Sequence, residues 1–439
     1  MEKKYDEVST QCHNDKKESV QSSRQILPQG KTVTEKLAWI EANVQNNSTY
    51  LVEITDDEKL NPHELSYEGK NNITIILEGN SSKPTISLTS SGSLFKIENG
   101  VHLILNNLSL HGIRNNNSSL IWVGGNLTMN IGSAVLNNQN IGYDFEQFGR
   151  FVLGGGITIC GLFTMNGGII SGNSSGIGPK LKGGKGGGVY VCGDGKFVMN
   201  EGEITLNKSA MGGGIVITEN GKFTLCGGSI EKNLGLVGGG ICVQNGLFMM
   251  EGGMVSKNQA QGYGGGVLVM FSKENNWFGD FNKTGGTIIG YTSNSTNGNI
   301  SKDNEGVVNK WAGHSIAGMG DGSVVKKFKN TTSAPTDDMY FKAATQDFSG
   351  IWDKDESSKN TSGGCYIATC VYGSYDCSEV LILRYFRDNH LAKSWLGRMF
   401  IQVYYVISPK LVSLFGDKEW FHSLFKRIIN SQVKRLSQK

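Results

Sequence analysis

The 439-residue sequence is poor in proline, in long apolar runs and in net charge. Its six prolines are well below the usual share, and glycine does not recur at every third position, so a collagen-like chain is excluded. No stretch of about 18 uninterrupted apolar residues is present, so we expect no transmembrane helix. The 42 Lys and Arg nearly balance the 39 Asp and Glu. This balance argues against wholesale nucleic-acid binding, and we expect no nucleic-acid partner.

Different features of the sequence predict different cellular compartments for the protein. The first residues, MEKKYDEVSTQCHNDKKES, contain no apolar segment, so we expect no secretory signal peptide, which favours a cytoplasmic location. The cysteines predict neither a disulfide framework nor a reducing compartment, because their number is even but the chain is long. They are Cys12, Cys160, Cys192, Cys226, Cys242, Cys365, Cys370 and Cys377.

Glycine is in excess, at 61 residues or about 14%, roughly twice the usual share. Triple glycines begin at Gly154, Gly186, Gly212, Gly238 and Gly264, separated by 32, 26, 26 and 26 residues. Each precedes a short apolar segment such as GGGIVI or GGGICV. A fixed period of this length is typical of a solenoid, in which each unit stacks on the previous one. The glycines are expected at its corners, where positive φ or close backbone approach is needed.

Two further landmarks recur with the triple glycines and complete the repeat. A G-x-F-x-Φ pattern supplies Phe163, Phe197, Phe223, Phe248 and Phe281, and a third segment ends in Asn173, Asn207, Asn233 and Asn258. Three short strands per turn of about 26 residues predict a mainly β protein, a right-handed parallel β-helix over residues 31–330. We expect the phenylalanines to form an interior stack and the asparagines a hydrogen-bonded ladder.

The alternation of side chains within each strand predicts which residues point outward. In GGGIVI, Ile215 and Ile217 are expected to face the interior and Val216 to face solvent. The residues aligned with Val216 would form an exposed column on successive turns. They are Thr158, Tyr190, Cys242 and Leu268.

The segments on either side of the repeats differ from them in composition. Residues 1–30 are polar and expected to be disordered. The segment TVTEKLAWIEANVQN predicts an amphipathic helix, entered after Thr34, that caps the first open end of the β-helix. Residues 331–363 are predicted to be a linker, and residues 364–439 a small helical domain.

The C-terminal 75 residues are basic and aromatic, with 11 Lys and Arg against five Asp and Glu. One interpretation is a helical bundle, broken near Gly397 and at Ser408–Pro409, with the aromatic residues in its core. The other is contact with a membrane surface, in which the aromatic residues enter the interface and the cations meet anionic lipid.

Two parts of the sequence resemble known families. The stretches GGGITICGLFTMNGGIISGN and GGGIVITENGKFTLCGGSIEKN resemble the glycine-rich β-helix repeats of bacterial, treponemal-type surface proteins. This resemblance covers about 300 residues and implies an adhesin-like protein at the cell surface. The C-terminal segment CYIATCVYGSYDCSEVLILRYF is similar to the CFI-box domain, a short module at the ends of diverse bacterial proteins. Its resemblance implies no chemistry that can be assigned to particular residues.

The positions of the acidic residues in the repeats bear on whether the protein is a polysaccharide-degrading enzyme. Such an enzyme on a β-helix needs stacked carboxylates on one outward face. The repeat register forms no acidic column, because Glu231 aligns with Ser171, Thr205 and Ser256. Glu201 and Glu203 form an acidic pair on one turn and are the candidate that remains. We interpret the acids mainly as a solvated face, and expect no metal and no cofactor.

The cysteines offer three further candidates. Cys160 and Cys192 occupy equivalent positions on adjacent turns, where either a disulfide or two small corner residues would fit. Cys365 opens the C-terminal module and is a candidate reactive or lipid-modified thiol, with a buried structural cysteine as the alternative. Cys365, Cys370, Cys377 and His390 do not have a recognised zinc spacing.

These observations favour a non-catalytic binding or display rod for a glycan or protein ligand, adhesin-like in function. The alternatives are a polysaccharide lyase or glycoside hydrolase, with carboxylates brought together by inserted loops, and an intracellular scaffold.

Overall fold

The computed structural model of the protein describes residues 25–142, 152–176, 183–272, 277–291, 294–302, 308, 316–320 and 339–343, with residues 399, 404, 408, 411, 415, 418, 421–423, 425–427 and 429. It is mainly β, with 48% strand and 9% helix, and its long parallel sheets are those of a β-helix-like fold. The chain divides into two compact units, Met1–Gly320 with Val324–Phe341, and Asp321–Ser323 with Lys342–Lys439.

The first unit contains one α-helix, Val33–Asn43, among its described residues. Thr32 is its N-cap: the Thr32 hydroxyl accepts a hydrogen bond from the Glu35 backbone N–H at 3.2 Å, and the Glu35 carboxylate accepts one from the Thr32 backbone N–H at 3.3 Å. The expected entry after Thr34 was therefore two residues late, because the T-x-x-E capping box begins at Thr32. Val33, Leu37 and Ile40 are buried on its inner face.

The largest sheet, sheet 1, has 17 strands. Most coils contribute two segments to it, and in Leu162–Ser171 and Lys196–Thr205 the two run together across a register shift. Its strands are Gln25–Ile26, Thr49–Ile54, Glu58–Leu60, Ile73–Gly79, Thr85–Leu88, Val101–Asn106, Ser109–His111, Asn126–Met129, Ala134–Leu136, Leu162–Ser171, Lys196–Thr205, Lys222–Leu225, Ser229–Glu231, Leu247–Met250, Met254–Ser256, Asp280–Lys283 and Thr287–Ile288.

Sheet 2 has 11 strands and contains the segments that follow the triple glycines. Its pairings up to Gly320 are parallel, apart from the antiparallel pair of Trp277–Phe278 with Val267–Ser272. Its strands are His63–Leu65, Phe95–Ile97, Ile121–Val123, Ile157–Ile159, Val189–Val191, Ile215–Ile217, Ile241–Val243, Val267–Ser272, Trp277–Phe278, Ile316–Gly320 and Met339–Ala343.

Sheet 3 has eight short strands that the sequence did not predict. Six of them directly follow a repeating asparagine, and the other two, Val152–Leu153 and Gly184–Lys185, directly precede a triple glycine. A coil such as residues 215–237 therefore contains four strands, and the expected three was too few. Segments such as KSAM are short and run directly into a triple glycine, which made them indistinguishable from corners. The strands are Gln139–Asn140, Val152–Leu153, Ser174–Ser175, Gly184–Lys185, Lys208–Met211, Leu234–Val237, Gln259–Ala260 and Ile300–Ser301.

The outer face of sheet 2 is buried, which corrects the expectation that Val216 faces solvent. Val216 and Cys242 are 0% exposed, and Tyr190 is 2% exposed. Side chains at the ends of the sheet 3 strands, Met211 and Val237 among them, pack on this face. The alternation of side chains was correct, but both faces of the sheet are covered. We call this second apolar cluster the outer core; it comprises Tyr190, Cys192, Val216, Cys242, Leu268 and Ala317.

Upstream, the same face of sheet 2 carries charged side chains. Lys96 forms ion pairs with Glu64 at 3.3 Å and Glu98 at 2.7 Å, and its Nζ lies 5.5 Å from the centre of the Trp122 ring. The Lys96 side chain is 42% exposed. The outer core is thus a property of the triple-glycine coils and is absent from the described coils before them.

Each glycine of a triple has its own structural reason, as Gly212–Gly214 shows. Gly212 has φ +60°, and a Cβ there would lie 2.2 Å from the Ile215 carbonyl oxygen. A Cβ on Gly213 would lie 2.5 Å from the carbonyl oxygen of Gly239 on the next coil, and one on Gly214 2.6 Å from that of Gly240. The chain reverses here from sheet 3 into sheet 2, so the glycines permit the folding back that covers the outer face.

The interior contains a stack of phenylalanines. Neighbouring rings of Phe163, Phe197, Phe223, Phe248 and Phe281 have centroids 4.7–5.1 Å apart and planes within 20° of parallel. The neighbouring aliphatic column of Met165, Met199, Leu225 and Met250 ends at a buried lysine, Lys283. Burial lowers the pKa of Lys283.

The repeating asparagines form a buried ladder that runs further than the sequence indicated. The Asn207 backbone N–H and side-chain Nδ2 both donate to Asn233 Oδ1 at 3.0 Å, and Asn207 Nδ2 also donates to the Ile170 carbonyl at 2.9 Å. The same bonds recur on successive coils. The ladder comprises Asn116, Asn138, Asn173, Asn207, Asn233, Asn258 and Asn299.

Two segments outside the repeats contain strands where the sequence predicted a disordered segment and a linker. Gln25–Ile26, placed in the disordered segment 1–30, is a strand that pairs with Thr49–Tyr50. Met339–Ala343, placed in the linker 331–363, is also a strand. Residues 1–24 and 344–398 lie outside the described residues.

Candidate functional site

The outward face of sheet 1 carries a second line of amides, which we call the amide row. Asn106 Nδ2 donates to Glu78 Oε2 at 2.6 Å, and Asn130 Nδ2 donates to Asn106 Oδ1 at 2.7 Å. Asn166 and Asn200 continue the row with bonds of 3.0 and 2.9 Å. The row begins at a carboxylate, which makes its first hydrogen bond charge-assisted.

The amide row differs from the buried ladder in its access to solvent. Asn166 is exposed and the other members are half-buried. A side-chain amide has two N–H donors and two acceptor lone pairs, and the row uses one of each for most members. Each such amide therefore keeps a donor and an acceptor for water or for a ligand, repeated once per coil.

Two further sets of aligned positions lie on one side of the amide row, on the same face. Thr128 and Thr164 lie two residues before Asn130 and Asn166 in their strands and are half-buried. Two residues earlier again, the aligned positions are Asn126, Leu162, Lys196 and Lys222, of which both lysines are exposed. The face thus offers the amides of the row, the hydroxyls of Thr128 and Thr164 and the two ammonium groups, whereas Val198, aligned with Thr164 on the next coil, is buried.

The predicted acidic pair lies beside this face. Glu201 is exposed at the register shift opposite Asn166, and Glu203 is half-buried between Ile169 and Ser229 on the adjacent coils. The two side chains do not form a stacked pair with acids of neighbouring coils, because Asn166, Ile169 and Ser229 occupy the aligned positions.

Glu231 has a different environment from the solvated one that we expected. It is 9% exposed and lies on the outward face, diagonal to Glu203, because Thr205 is its register partner. Its carboxylate accepts hydrogen bonds from Lys232 and, at 3.4 Å, from Lys257 of the next coil. Burial opposes ionisation of Glu231, but the two ammonium groups outweigh it and lower the pKa of the carboxyl group.

Two buried hydroxyls accompany Glu231. Thr205 and Ser256, aligned with Glu231 on the coils before and after it, are 6% and 1% exposed. Neither Thr205 Oγ1 nor Ser256 Oγ has a hydrogen-bond partner among the described atoms. The alignment of Thr205, Glu231 and Ser256 was readable from the sequence, but burial of the face that carries them was not.

The arrangement around Glu231 is a poor acid–base pair. A general acid in glycoside hydrolysis needs a raised pKa, whereas that of Glu231 is lowered by Lys232 and Lys257. Among the described residues, no group of three or more His, Cys, Asp and Glu side chains is placed to hold a metal ion.

The structure describes only some of the candidate cysteines. Cys160 and Cys192 lie on adjacent coils with their Sγ atoms 2.8 Å apart. Cys365, Cys370, Cys377 and His390 lie outside the described residues, so the predicted reactive thiol at Cys365 remains a prediction.

The described residues of the second unit are mostly helical. Phe421 is 1% exposed, its ring centre lies 4.6 Å from that of Phe425, and Ile429, one further turn along, is 7% exposed. Ser408 and Leu411 are helical, while Pro409 lies outside the described residues. No helix in the described part of the chain has the length and hydropathy to cross a membrane.

Comparison of the chain with protein-family models, with curated proteins and with solved structures gives no match to any of them.

Proposed function

We propose that residues 31–330 bind and display a ligand without catalysing a reaction, in an adhesin-like role at a cell surface. The amide row on the open face of sheet 1 is the observation that carries this proposal. It repeats the same donor and acceptor on coils that are rigidly stacked through the buried ladder and the phenylalanines. A rigid, repetitive and polar face is preorganised for a repetitive ligand, which reduces the entropy cost of binding.

The proposed architecture is a right-handed coil capped by the N-terminal helix. Parallel strands joined by crossovers in one sheet are right-handed in about 98% of cases. The helix Val33–Asn43 contacts Thr49–Ile54 and Glu58–Leu60, and the Val33 backbone N–H donates to the Glu58 carboxylate at 2.8 Å. Terminal coils of a solenoid need such a cover for their apolar interior, which is the role proposed for Leu37 and Ile40.

The ligand that best fits the amide row is an extended glycan. Hydroxyl groups of a sugar both donate and accept hydrogen bonds, which matches the one donor and one acceptor left on amides such as Asn130 and Asn166. Lys196 and Lys222 are placed to contact acid groups of the same chain. Exposed apolar surface at Leu162 (36%) and Ile169 (41%) adds contact area beside the polar rows.

Titration of the full chain with neutral and acidic polysaccharides by calorimetry tests this proposal. We expect the double variant Asn130→Ala, Asn166→Ala to raise the Kd of a bound glycan about tenfold, which corresponds to two lost hydrogen bonds of modest strength. Asn71→Ala, an exposed asparagine at another corner, is the matched control and should bind as the unaltered protein does. Absence of binding to every glycan, or equal affinity of the double variant, would reject the amide row as the site.

The competing function is a polysaccharide lyase or hydrolase, favoured by the diagonal placement of Glu203 and Glu231 beside the unpartnered hydroxyls of Thr205 and Ser256. Incubation with pectins and other acidic glycans, with and without calcium, separates the two functions. We expect no cleavage. Bond cleavage that is lost in Glu203→Gln or Glu231→Gln would establish the enzyme instead.

For residues 364–439 we propose a CFI-box-like helical bundle whose core contains the aromatic residues. Burial of Phe421 and its contact with Phe425 support the bundle over a membrane-surface element. Co-sedimentation of the full chain and of a 1–364 truncation with anionic liposomes tests this. Equal recovery of the two in the pellet is expected, whereas sedimentation that requires residues 365–439 would support membrane contact.

A further inference from the structure

Cys160 and Cys192 bring two thiols into contact on adjacent coils. Each follows a sheet 2 strand, and the residues before them, Ile159 and Val191, are register partners. The Cys192 backbone N–H donates to the Ile159 carbonyl at 2.9 Å, and the two Sγ atoms lie 2.8 Å apart. Parallel pairing holds the two backbones at the distance that a disulfide requires, so a bond between the sulfurs needs no movement of the sheet.

The two cysteines differ in access and in acidity. Cys160 is half-buried, whereas Cys192 is 7% exposed and belongs to the outer core. A hydrogen bond from the Cys192 thiol lowers the pKa of Cys160, and the same bond together with burial raises the pKa of Cys192. Cys160, the less buried of the two residues, is therefore also the more easily ionised, and the buried Cys192 retains its proton.

The charged group that acts on the pair, Glu219, opposes ionisation of both thiols. The carboxylate of Glu219 raises the pKa of both thiols and, with burial, that of Tyr190. Lys185, whose Nζ donates to Gln244 Oε1 at 3.0 Å, is half-buried on the same outer face, and burial lowers its pKa. The thiol contact therefore dominates the acidity of Cys160 despite a negative charge nearby.

We propose that Cys160 and Cys192 are a redox-active dithiol that is modified by hydroperoxides. The Cys160 thiolate attacks one oxygen of the hydroperoxide and the O–O bond breaks; with one proton from solvent, the products are Cys160 sulfenic acid and the alcohol, or water from hydrogen peroxide. The Cys192 sulfur then attacks the sulfenic sulfur, the S–O bond breaks, and water leaves with the Cys192 proton. Two thiols and one hydroperoxide thus give a disulfide, an alcohol and water, and a thiol reductant reverses the modification.

This modification would cross-link two coils where sheet 3 covers sheet 2. It does not depend on the proposed binding function, because the amide row lies on a different sheet. The pair differs from Cys242, which is 0% exposed, lies against the Met270 sulfur at 3.7 Å and has a pKa raised by burial to about 12. Cys242 is therefore an internal control for unspecific oxidation.

Peptide mapping of the full chain tests the proposal directly. The protein is reduced without denaturant, freed of reductant, treated with hydrogen peroxide, alkylated and digested with trypsin. Cys160 and Cys192 fall in different tryptic peptides, 151–180 and 186–196, and Cys242 in peptide 233–257. We expect peroxide to join the first two peptides while peptide 233–257 stays alkylated. Two outcomes would overturn the proposal: peptides that stay separate, and peptides that stay joined after native reduction, which would indicate a permanent bridge.

Single variants separate the roles of the two sulfurs. In Cys192→Ser, Cys160 should stop at the sulfenic acid and be trapped by dimedone. In Cys160→Ser, Cys192 should remain reduced at the peroxide concentration that oxidises the unaltered protein. Equal oxidation of Cys192 in Cys160→Ser would contradict the assignment of Cys160 as the attacking thiolate. A β-type circular dichroism spectrum checks that both variants fold. If either variant does not fold, the peptide mapping of the unaltered protein decides the proposal.

Discussion

Asn207 and Asn200 are seven residues apart and carry the same side chain, but the first lies in the buried ladder and the second in the amide row. Asn207 is 0% exposed, receives bonds from Asn173 and donates to Asn233 and Ile170. Asn200 is half-buried and donates to Asn166 at the surface. Water can replace the lost partner of an exposed amide, but not of a buried one.

We therefore expect Asn207→Ala to lower the free energy of unfolding by about 3–5 kcal/mol, since it leaves buried donors and acceptors on two neighbouring coils without partners. Asn200→Ala should lower it by less than about 1 kcal/mol. Urea unfolding followed by circular dichroism measures both. Equal effects of the two substitutions would contradict the distinction between ladder and row.

The acidity of Cys160 gives a prediction of pH dependence. Its pKa is lowered, so the rate of alkylation by iodoacetamide should rise with pH and reach half its maximum below the value of about 8.5 for an ordinary thiol. Cys192→Ala should move this midpoint to higher pH, because the donated hydrogen bond is lost. Glu219→Gln should move it to lower pH, because a nearby negative charge is removed. Mass spectrometry of peptide 151–180 as a function of pH follows the rate, and a midpoint unaffected by Cys192→Ala would refute the role of the Cys192 thiol in lowering the pKa of Cys160.

At the scale of the element, sheet 3 converts the outer face of sheet 2 into a second apolar core. Val216 was expected at the surface and is 0% exposed, while Leu206, on the outward side of a corner, is 53% exposed with φ +57°. These two residues provide a matched pair of apolar-to-polar substitutions.

Val216→Asn should destabilise the protein by about 3 kcal/mol, because it places an amide among Tyr190, Cys242 and Leu268. Leu206→Asn should change the stability by no more than about 0.5 kcal/mol, since asparagine tolerates the left-handed conformation and the site is open. Thermal unfolding of the two variants measures the difference. A neutral Val216→Asn would show that this face is open in solution.

The elements of the repeat could be predicted from the sequence to different degrees. The triple glycines, Phe197 and Asn207 recur with one period, and recurrence alone implies that equivalent residues stack. Sheet 3 could not be predicted, because segments such as LGLV are too short and glycine-rich to show alternation. The amide row was missed for another reason: from Glu78 to Asn200 its members are 28, 24, 36 and 34 residues apart, so they show no fixed period.

The buried environment of Glu231 could not be predicted from the sequence either. Its alignment with Thr205 and Ser256 was correct, but alignment assigns a residue to a face and does not say whether that face is covered. The same limit applies to Val216, where the sequence identified the neighbours within the sheet and not the strands packed against it.

At the scale of the whole molecule, the chain divides into two compact units. A solenoid is stabilised by contacts between neighbouring coils, so its stability does not depend on a separate unit. We expect deletion of residues 365–439 to leave the β-type circular dichroism spectrum and the unfolding temperature of the repeats unchanged. Collapse of the β signal in this truncation would show that the second unit is required for folding of the first.

The buried ladder has one more consequence, which concerns how the length of such a protein changes. Every coil offers the next one the same acceptor, and Gly212 and Gly238 begin identical corners 26 residues apart. If residues 212–237 were absent, Met211 would continue into Gly238, Phe197 would meet Phe248 and Asn207 would meet Asn258, so that the stack and the ladder would stay unbroken. The repeat region can therefore lengthen or shorten by whole coils. Duplication or loss of a whole coil preserves the phenylalanine stack and the asparagine ladder.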